Sequence, residues 1–237
     1  MRLLAIDTAT EYCSVAHSDE KTIIYRGREA PREHAELVLP FVQEILAEAG
    51  MALGDLEGLV LGKGPGSFTG VRITASLGQG LAFSQGLPVV GISSLQAMAQ
   101  QAYRLHDATH VIAAIDARMG EVYVGTYKLE EGLMKQQGEE RVLKPEAVTE
   151  YMKDHANERA TWFGVGTGWV TYERELVEAC EMLGAIELSH SVRFPHAMDM
   201  LALGLAAFNR GEDVAAESFQ VHYVRDEVTW QKLPGRS

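Results

Sequence analysis

The 237-residue chain has only two cysteines, Cys13 and Cys180. Two thiols so far apart supply neither a disulfide framework nor a metal-binding cysteine cluster, so a reducing, cytoplasmic setting is expected. Long hydrophobic runs are missing as well. None approaches the roughly 18 apolar residues that a membrane-spanning helix needs. The run Leu3-Leu4-Ala5-Ile6 meets Asp7 too soon to be the apolar core of a signal peptide.

Positive charge is also scarce. The chain carries 21 Lys+Arg against 33 Asp+Glu, a net charge of −12, and neither half is basic: 7 against 11 in residues 1–102, 14 against 22 in residues 103–237. Binding to a phosphate backbone draws on clustered Lys and Arg, so unaided RNA binding is disfavoured. Only Arg26, Arg28 and Arg32 form a local basic group. Metal-ligand spacing is lacking too: one helical turn after His34 stands Val38, and the other seven histidines show no ligand pattern. No Ser/His/Asp or Cys/His arrangement can be recognised from spacing.

What is present is the composition of a folded protein, 46% hydrophobic and 23% charged. Leu3 to Ile6, Cys13 to Ala16 and Thr22 to Tyr25 read as an antiparallel meander of three strands. From His34 the period becomes helical, with Leu37, Val38, Phe41, Ile45, Leu46 and Ala49 on one face and Gly50 as the stop. Pro40 predicts a kink or a late start for that helix. A buried strand at Leu59–Leu61, a helix from about Phe68 to Gln85 and a strand from Pro88 to Ile92 follow, with Ser94 as the expected cap of the next helix. The second half opens like the first: strand Val111–Ile115, a turn at Asp116, strand Glu121–Tyr127. Pro145 should start a helix reaching about His155. Trp162–Gly164 reads as a strand, Ala197–Phe208 as an apolar helix ended by Gly211, and the tail from Ser218 as one strand-like piece with an irregular end.

The halves can be superposed at two places. Leu4-Ala5-Ile6-Asp7 matches Ala113-Ala114-Ile115-Asp116, and Gly62-Lys63-Gly64-Pro65-Gly66 matches Gly164-Val165-Gly166-Thr167-Gly168, each in the same order and at a similar offset. A repeated hairpin, helix and strand–Gly-loop–helix unit predicts a two-lobed α/β fold, with Asp-turns and Gly-loops facing a cleft.

The segment Gly62 to Arg72 is the richest. Ser67 can cap the helix that follows, but no Gly-Lys-Ser/Thr stands at the spacing of a P-loop. Within that helix Gly70, Thr74 and Gly78 lie four apart, with Gly80 and Ser84 on a neighbouring stripe. Each interior glycine costs about 0.5–1 kcal/mol relative to alanine. Packing against the strand layer and close approach of another subunit's helix both account for that cost. Asp7 and Asp116 each end a buried strand, and a turn-capping role is expected for both, through Thr8 or Thr10 and through Arg118.

Several stretches together resemble the TsaB (YeaZ) family: Leu4 to Thr10, Pro31-Arg32-Glu33-His34, Gly64-Pro65-Gly66-Ser67-Phe68-Thr69-Gly70-Val71-Arg72, Ala114 to Tyr123, Tyr223-Val224-Arg225-Asp226 and Lys232-Leu233-Pro234-Gly235. The resemblance implies an actin, sugar-kinase and heat-shock-chaperone type of fold (ribonuclease H-like) with duplicated halves. Its first lobe would be 1–102 plus about 196–215, and its second, degenerate lobe 103–195 plus 216–237. It implies a non-catalytic partner or scaffold of TsaD, the catalytic paralogue that places a threonylcarbamoyl group on the adenosine next to the anticodon in tRNAs reading codons that begin with A. TsaD carries a His-x-x-x-His metal pair, which here ends at Val38, so neither metal chemistry nor the protease activity of the glycoprotease-like family carries over. The implied partner-binding residues lie on the two first-lobe helices: His34, Leu37, Val38, Phe41, Thr69, Gly70, Thr74 and Gly78. A vestigial phosphate loop would comprise Asp7, Gly64, Gly66, Ser67 and Asp116. The chain would hold no metal or cofactor of its own, with ATP and metal on the partner subunits. Expected partners are TsaD, the ATPase TsaE, a second copy of the chain when alone, and tRNA only within the complex. The alternative is a nucleotide-binding phosphotransferase or ATPase in its own right.

Overall fold

The computed structural model describes residues 1–19, 21–153 and 160–224. The first three strands, β1 (Leu3–Asp7), β2 (Tyr12–Ser18) and β3 (Ile23–Glu29), form the expected meander. After α1 (His34–Ala49), β4 (Gly58–Gly62) pairs parallel with β1, and after α2 (Phe68–Gln85), β5 (Val89–Ile92) pairs parallel with β4. The sheet order is β3-β2-β1-β4-β5.

Helix α3 (Ser94–His106) leads into the second half: β6 (His110–Arg118), β7 (Glu121–Glu130), β8 (Leu133–Leu143), α4 (Val148–Tyr151), β9 (Trp162–Val165), α5 (Thr167–Thr171), α6 (Glu173–Ala179), β10 (Ile186–Ser189) and α7 (Ala197–Asn209). Its sheet runs β10-β9-β6-β7-β8, the first order repeated with every strand advanced by five. The duplication inferred from two short matches therefore extends to the whole topology.

Both central strands are buried on both faces, which explains their unbroken apolar runs. Leu4 and Ile6 of β1 point to the side covered by α1 and α2, Leu3 and Ala5 to the side covered by α7. Val111, Ala113 and Ile115 of β6 meet α3, while Ile112 and Ala114 face α4 to α6. Helices α3 and α7 pack on each other and join the lobes. The sequence division places 216–237 with the second half, yet Ala216, Phe219 and Val221 pack in the first core.

Helix α2 has the expected bounds, and α1 and α2 end on left-handed Gly50 and Gly86. Other expectations need correction. Helix α1 starts at His34 and runs through Pro40, whose ring faces solvent, so no late start occurs. The cap of α3 is Ser93, one residue earlier than expected, whose hydroxyl accepts from the Leu95 and Gln96 amides at 3.1 and 3.4 Å. Asp116 lies within β6. The strand continues past it to Arg118, and the turn follows at Met119-Gly120. Strand β8 is unexpected, because an edge strand reading Lys-Gln-Gln-Gly-Glu-Glu-Arg hides its period. Pro145 opens a 3-10 turn that leads into α4, which ends at Tyr151; the expected end near His155 lies outside the described residues, as does the tail from Arg225.

Candidate functional site

A cleft of about 1020 Å³ opens between the lobes. The first lobe lines it with the loop after β1, the end of β3 and the starts of α1 and α2; the second lobe adds the β6–β7 hairpin, α5 and the loop before α7. The strand ends and helix starts meet there because each strand–loop–helix unit runs parallel to its neighbour.

The two strand-end aspartates have separate fates. Asp7 is fully buried: Oδ1 accepts from the Ala9 amide at 3.1 Å and Oδ2 has no hydrogen-bond partner. Burial pushes its carboxyl up from 3.8 to about 7, with the Ala9 amide pulling the other way. The capping bond thus runs to Ala9 and not to Thr8 or Thr10. Asp116 lines the cleft, and its carboxylate accepts from the Arg118 amide at 2.8 Å and the Arg118 guanidinium at 3.3 Å, as expected.

Of the phosphate-loop candidates, Gly66, Ser67 and Asp116 reach the cleft, whereas Asp7 and Gly64 do not line it. Ser67 caps α2, its hydroxyl accepting from the Gly70 amide at 3.1 Å. Gly66 lies so close to the Ala9 carbonyl that a side chain would overlap it, and Gly166 stands in the same relation to the Ala114 carbonyl in the second half. The loop's lysine points elsewhere. Lys63 lies over Gly91 and borders a smaller hollow away from the cleft.

The helix-face candidates divide. Gly70, Thr74 and Gly78 face inward. A side chain at Gly70 would overlap the Thr8 carbonyl, and one at Gly78 would stand 2.5 Å from the Leu61 methyls. Thr74 Oγ1 accepts from the Thr8 amide at 2.9 Å and shares a hydrogen bond with the Thr8 hydroxyl at 2.7 Å. This stripe lets α2 lie directly on β1 and β4, so it is not open to another subunit. The open stripe of α2 is its neighbour, Ser76, Gly80 and Ser84, and a side chain at Gly80 would meet nothing within 4 Å.

Val38 is 0% exposed in the apolar core; Leu37 and Phe41 are half-buried beside it. His34, at the start of α1, is neither a cap nor a surface group. It is 8% exposed, lines the cleft, and leaves Nε2 without a partner. Burial lowers its pKa, a Thr10 carbonyl bond opposing the shift. Thr69 is exposed at the cleft edge, beside Phe68, whose ring is 64% exposed and carries the Arg72 guanidinium 3.1 Å above it.

A family model described as TsaD, tRNA N6-adenosine threonylcarbamoyltransferase, matches residues 21–232. The chain is 46% identical to the tRNA threonylcarbamoyladenosine biosynthesis protein TsaB of Escherichia coli K12 over the full length of both. The chain belongs to the TsaB family. The TsaB of Haemophilus influenzae is 40% identical across 100% of this chain and 98% of its own. The solved structure of YeaZ from Pseudomonas aeruginosa matches with a TM-score of 0.82 and 44% identity, over 94% of this chain and 99% of that one.

Within this TsaB-family chain, two contacts cross the cleft that local sequence patterns do not reveal. Arg118 reaches Glu11 at 3.0 Å and Arg193 reaches Glu29 at 3.5 Å. The sequence suggests Arg118 only as a partner for Asp116, and nothing in the local pattern marks Arg193. Among the described residues no group of three or more His, Cys, Asp or Glu is placed to hold a metal, and no helix is long and apolar enough to cross a membrane.

Proposed function

We propose that this chain is a non-catalytic scaffold that docks a TsaD-like catalytic paralogue through the outer faces of α1 and α2. The paralogue then forms threonylcarbamoyladenosine in tRNAs reading codons that begin with A. The observation that carries the reading is Gly80, a mid-helix glycine with empty space above it. A glycine there lowers helix stability by about 1 kcal/mol, and no described residue stands where its side chain would be. Leu37 and Phe41 on α1 and Ile73, Leu77 and Leu81 on α2 are half-buried apolar residues at the rim of the first core, an arrangement suited to a second pair of helices.

Val38 supports the non-catalytic part. Sealed in the core one turn after His34, it cannot present a ligand, so the His-x-x-x-His pair of TsaD is not reproduced. In this reading the chain holds no cofactor, while ATP and metal belong to the partner subunits, including a TsaE-like ATPase. It pairs with itself when alone, meets tRNA only within the complex, and works in the cytoplasm. Reconstituted tRNA modification with and without the chain tests this. The modified nucleoside should vanish on omission and should not form with this chain alone; product that persists on omission overturns the reading.

A nucleotide-binding phosphotransferase or ATPase in its own right is the second reading, favoured by the cleft and its Ser67 and Asp116 lining. Against it stand the sealed, unpartnered Asp7 and a Gly-loop lysine directed away from the cleft. This reading predicts tight nucleotide binding by the isolated chain, and calorimetry with ATP and magnesium that shows no heat would eliminate it.

A further inference from the structure

Among the described residues, the contacts between the lobes include two sets of very different character. At the α3–α7 crossing, Arg104 Nε and Nη2 donate to Asp199 Oδ1 and Oδ2 at 2.6 and 3.0 Å, and the Asp199 side chain is 2% exposed. Gln101 hydrogen-bonds His196 at 3.1 Å, His196 stacks on Tyr12 with centroids 4.4 Å apart, and the Ala197 amide donates to the Ser14 hydroxyl at 3.0 Å. Bidentate pairing with one partner buried resists both salt and water. At the cleft mouth the contacts are Arg118–Glu11 and Arg193–Glu29, and all four side chains are at least 43% exposed. Pairs of that kind are individually weak and are screened by salt.

The hairpin that carries Arg118 is built at a cost. Arg118 and Met119 take left-handed φ angles of 64° and 57°, a region that residues with side chains enter sparingly. That turn sends the guanidinium across the cleft. The lining charges also cancel: Arg32, Arg118 and Arg193 face Glu11, Glu29 and Asp116. Such a lining offers no excess of positive charge to hold an anion, and Arg118 and Arg193 serve the opposite wall.

We infer that the cleft is clasped: the α3–α7 crossing is a fixed hinge, and the Arg118–Glu11 and Arg193–Glu29 pairs hold the mouth at its present width until they break. Breaking them lets the lobes part over the floor formed by His34 and Ser67. The inference stands independently of the scaffold role.

Distance measurement between spin labels tests it, with labels at exposed Ala47→Cys on α1 and Glu173→Cys on α6 and the labelled chain diluted into unlabelled protein. Cys13 and Cys180 are buried and stay unlabelled. One narrow distance is expected at low salt, broadening and lengthening as salt rises from about 0.05 to about 1 M. R118E/R193E should show the long, broad distribution at every salt concentration. Adding E11R/E29R to it should restore the narrow one at low salt. Equal distributions for the wild type and R118E/R193E overturn the clasp, as does failure of the swapped charges to restore it; a thermal melt confirms that each variant is folded.

Discussion

Asp7 offers the sharpest test of how this fold treats charge. Its carboxyl is fully buried, keeps one bond to the Ala9 amide and has Oδ2 against Gly62 with no partner, so burial raises its pKa from 3.8 to about 7. In the unfolded chain the group loses its proton near pH 4; in the folded protein it keeps it until near pH 7. Its contribution to stability is therefore complete below the unfolded value and is lost as the pH rises through the folded one. A rise of that size corresponds to about 4 kcal/mol, of which about 2 kcal/mol is lost between about pH 5 and about pH 7. Asp7→Asn removes the titration while keeping the shape and the acceptor for Ala9. Its amide leaves a donor unsatisfied where Oδ2 stood, a cost of about 1–3 kcal/mol that does not change with pH. The difference in unfolding free energy, variant minus wild type, should accordingly rise by about 2 kcal/mol over that interval. Urea unfolding followed by tryptophan fluorescence at several pH values reads it directly, since the other carboxylates cancel in the difference. A difference that stays flat with pH would refute the assignment of a buried, protonated carboxyl.

Two further perturbations probe the helices. Gly78→Leu drives a side chain into Leu61 and should destabilise the isolated chain by about 1–3 kcal/mol or more. Gly80→Leu, with open space above it, should stabilise the chain by up to about 1 kcal/mol yet weaken co-purification with a TsaD-like paralogue. Urea melts and pull-downs showing the reverse order would mean that the two faces of α2 are exchanged. At the α3–α7 crossing, Arg104→Ala should cost about 3–5 kcal/mol, because it strands a buried carboxylate whose pKa burial already raises. Asp199→Ala should cost less, since Arg104 is 38% exposed and can turn to water; equal losses in thermal unfolding would contradict that asymmetry.

Much of the fold is legible in the sequence because its signals are local. Helical period and terminal glycines locate α1 and α2, and the repeated Ala-Ile-Asp ending announces two equivalent strands. The site is legible only in part. Spacing places Gly70, Thr74 and Gly78 on one face of α2, but spacing cannot say whether a strand or a second subunit lies against that face. The decision rests on Thr8, in the loop after β1, and on Leu61 of β4, whose positions under α2 only the folded sheet fixes. His34 is similarly opaque, since its burial depends on the loop after β1. The Arg193–Glu29 pair joins residues 164 positions apart and leaves no periodic trace.

The two halves show how one motif acquires different roles. Each begins with a strand that carries an aspartate near its C-terminal end, with a glycine set against a nearby backbone carbonyl (Gly66 on Ala9, Gly166 on Ala114) and a threonine hydroxyl accepting from an amide beside it: Thr74 from Thr8, Thr167 from Asp116. The difference is the covering helix. In the first half, 18-residue α2 lies on β1 and β4 and presents a long outer face that includes Gly80, while Asp7 is fully buried against Gly62 and the Ala9 amide. In the second half the corresponding α5 has five residues, so Asp116 stays at the cleft edge and turns to Arg118. One carboxylate is thus buried, the other pairs with Arg118, the residue that itself reaches Glu11 across the cleft, and only the first lobe carries the long paired helices that the proposed docking uses.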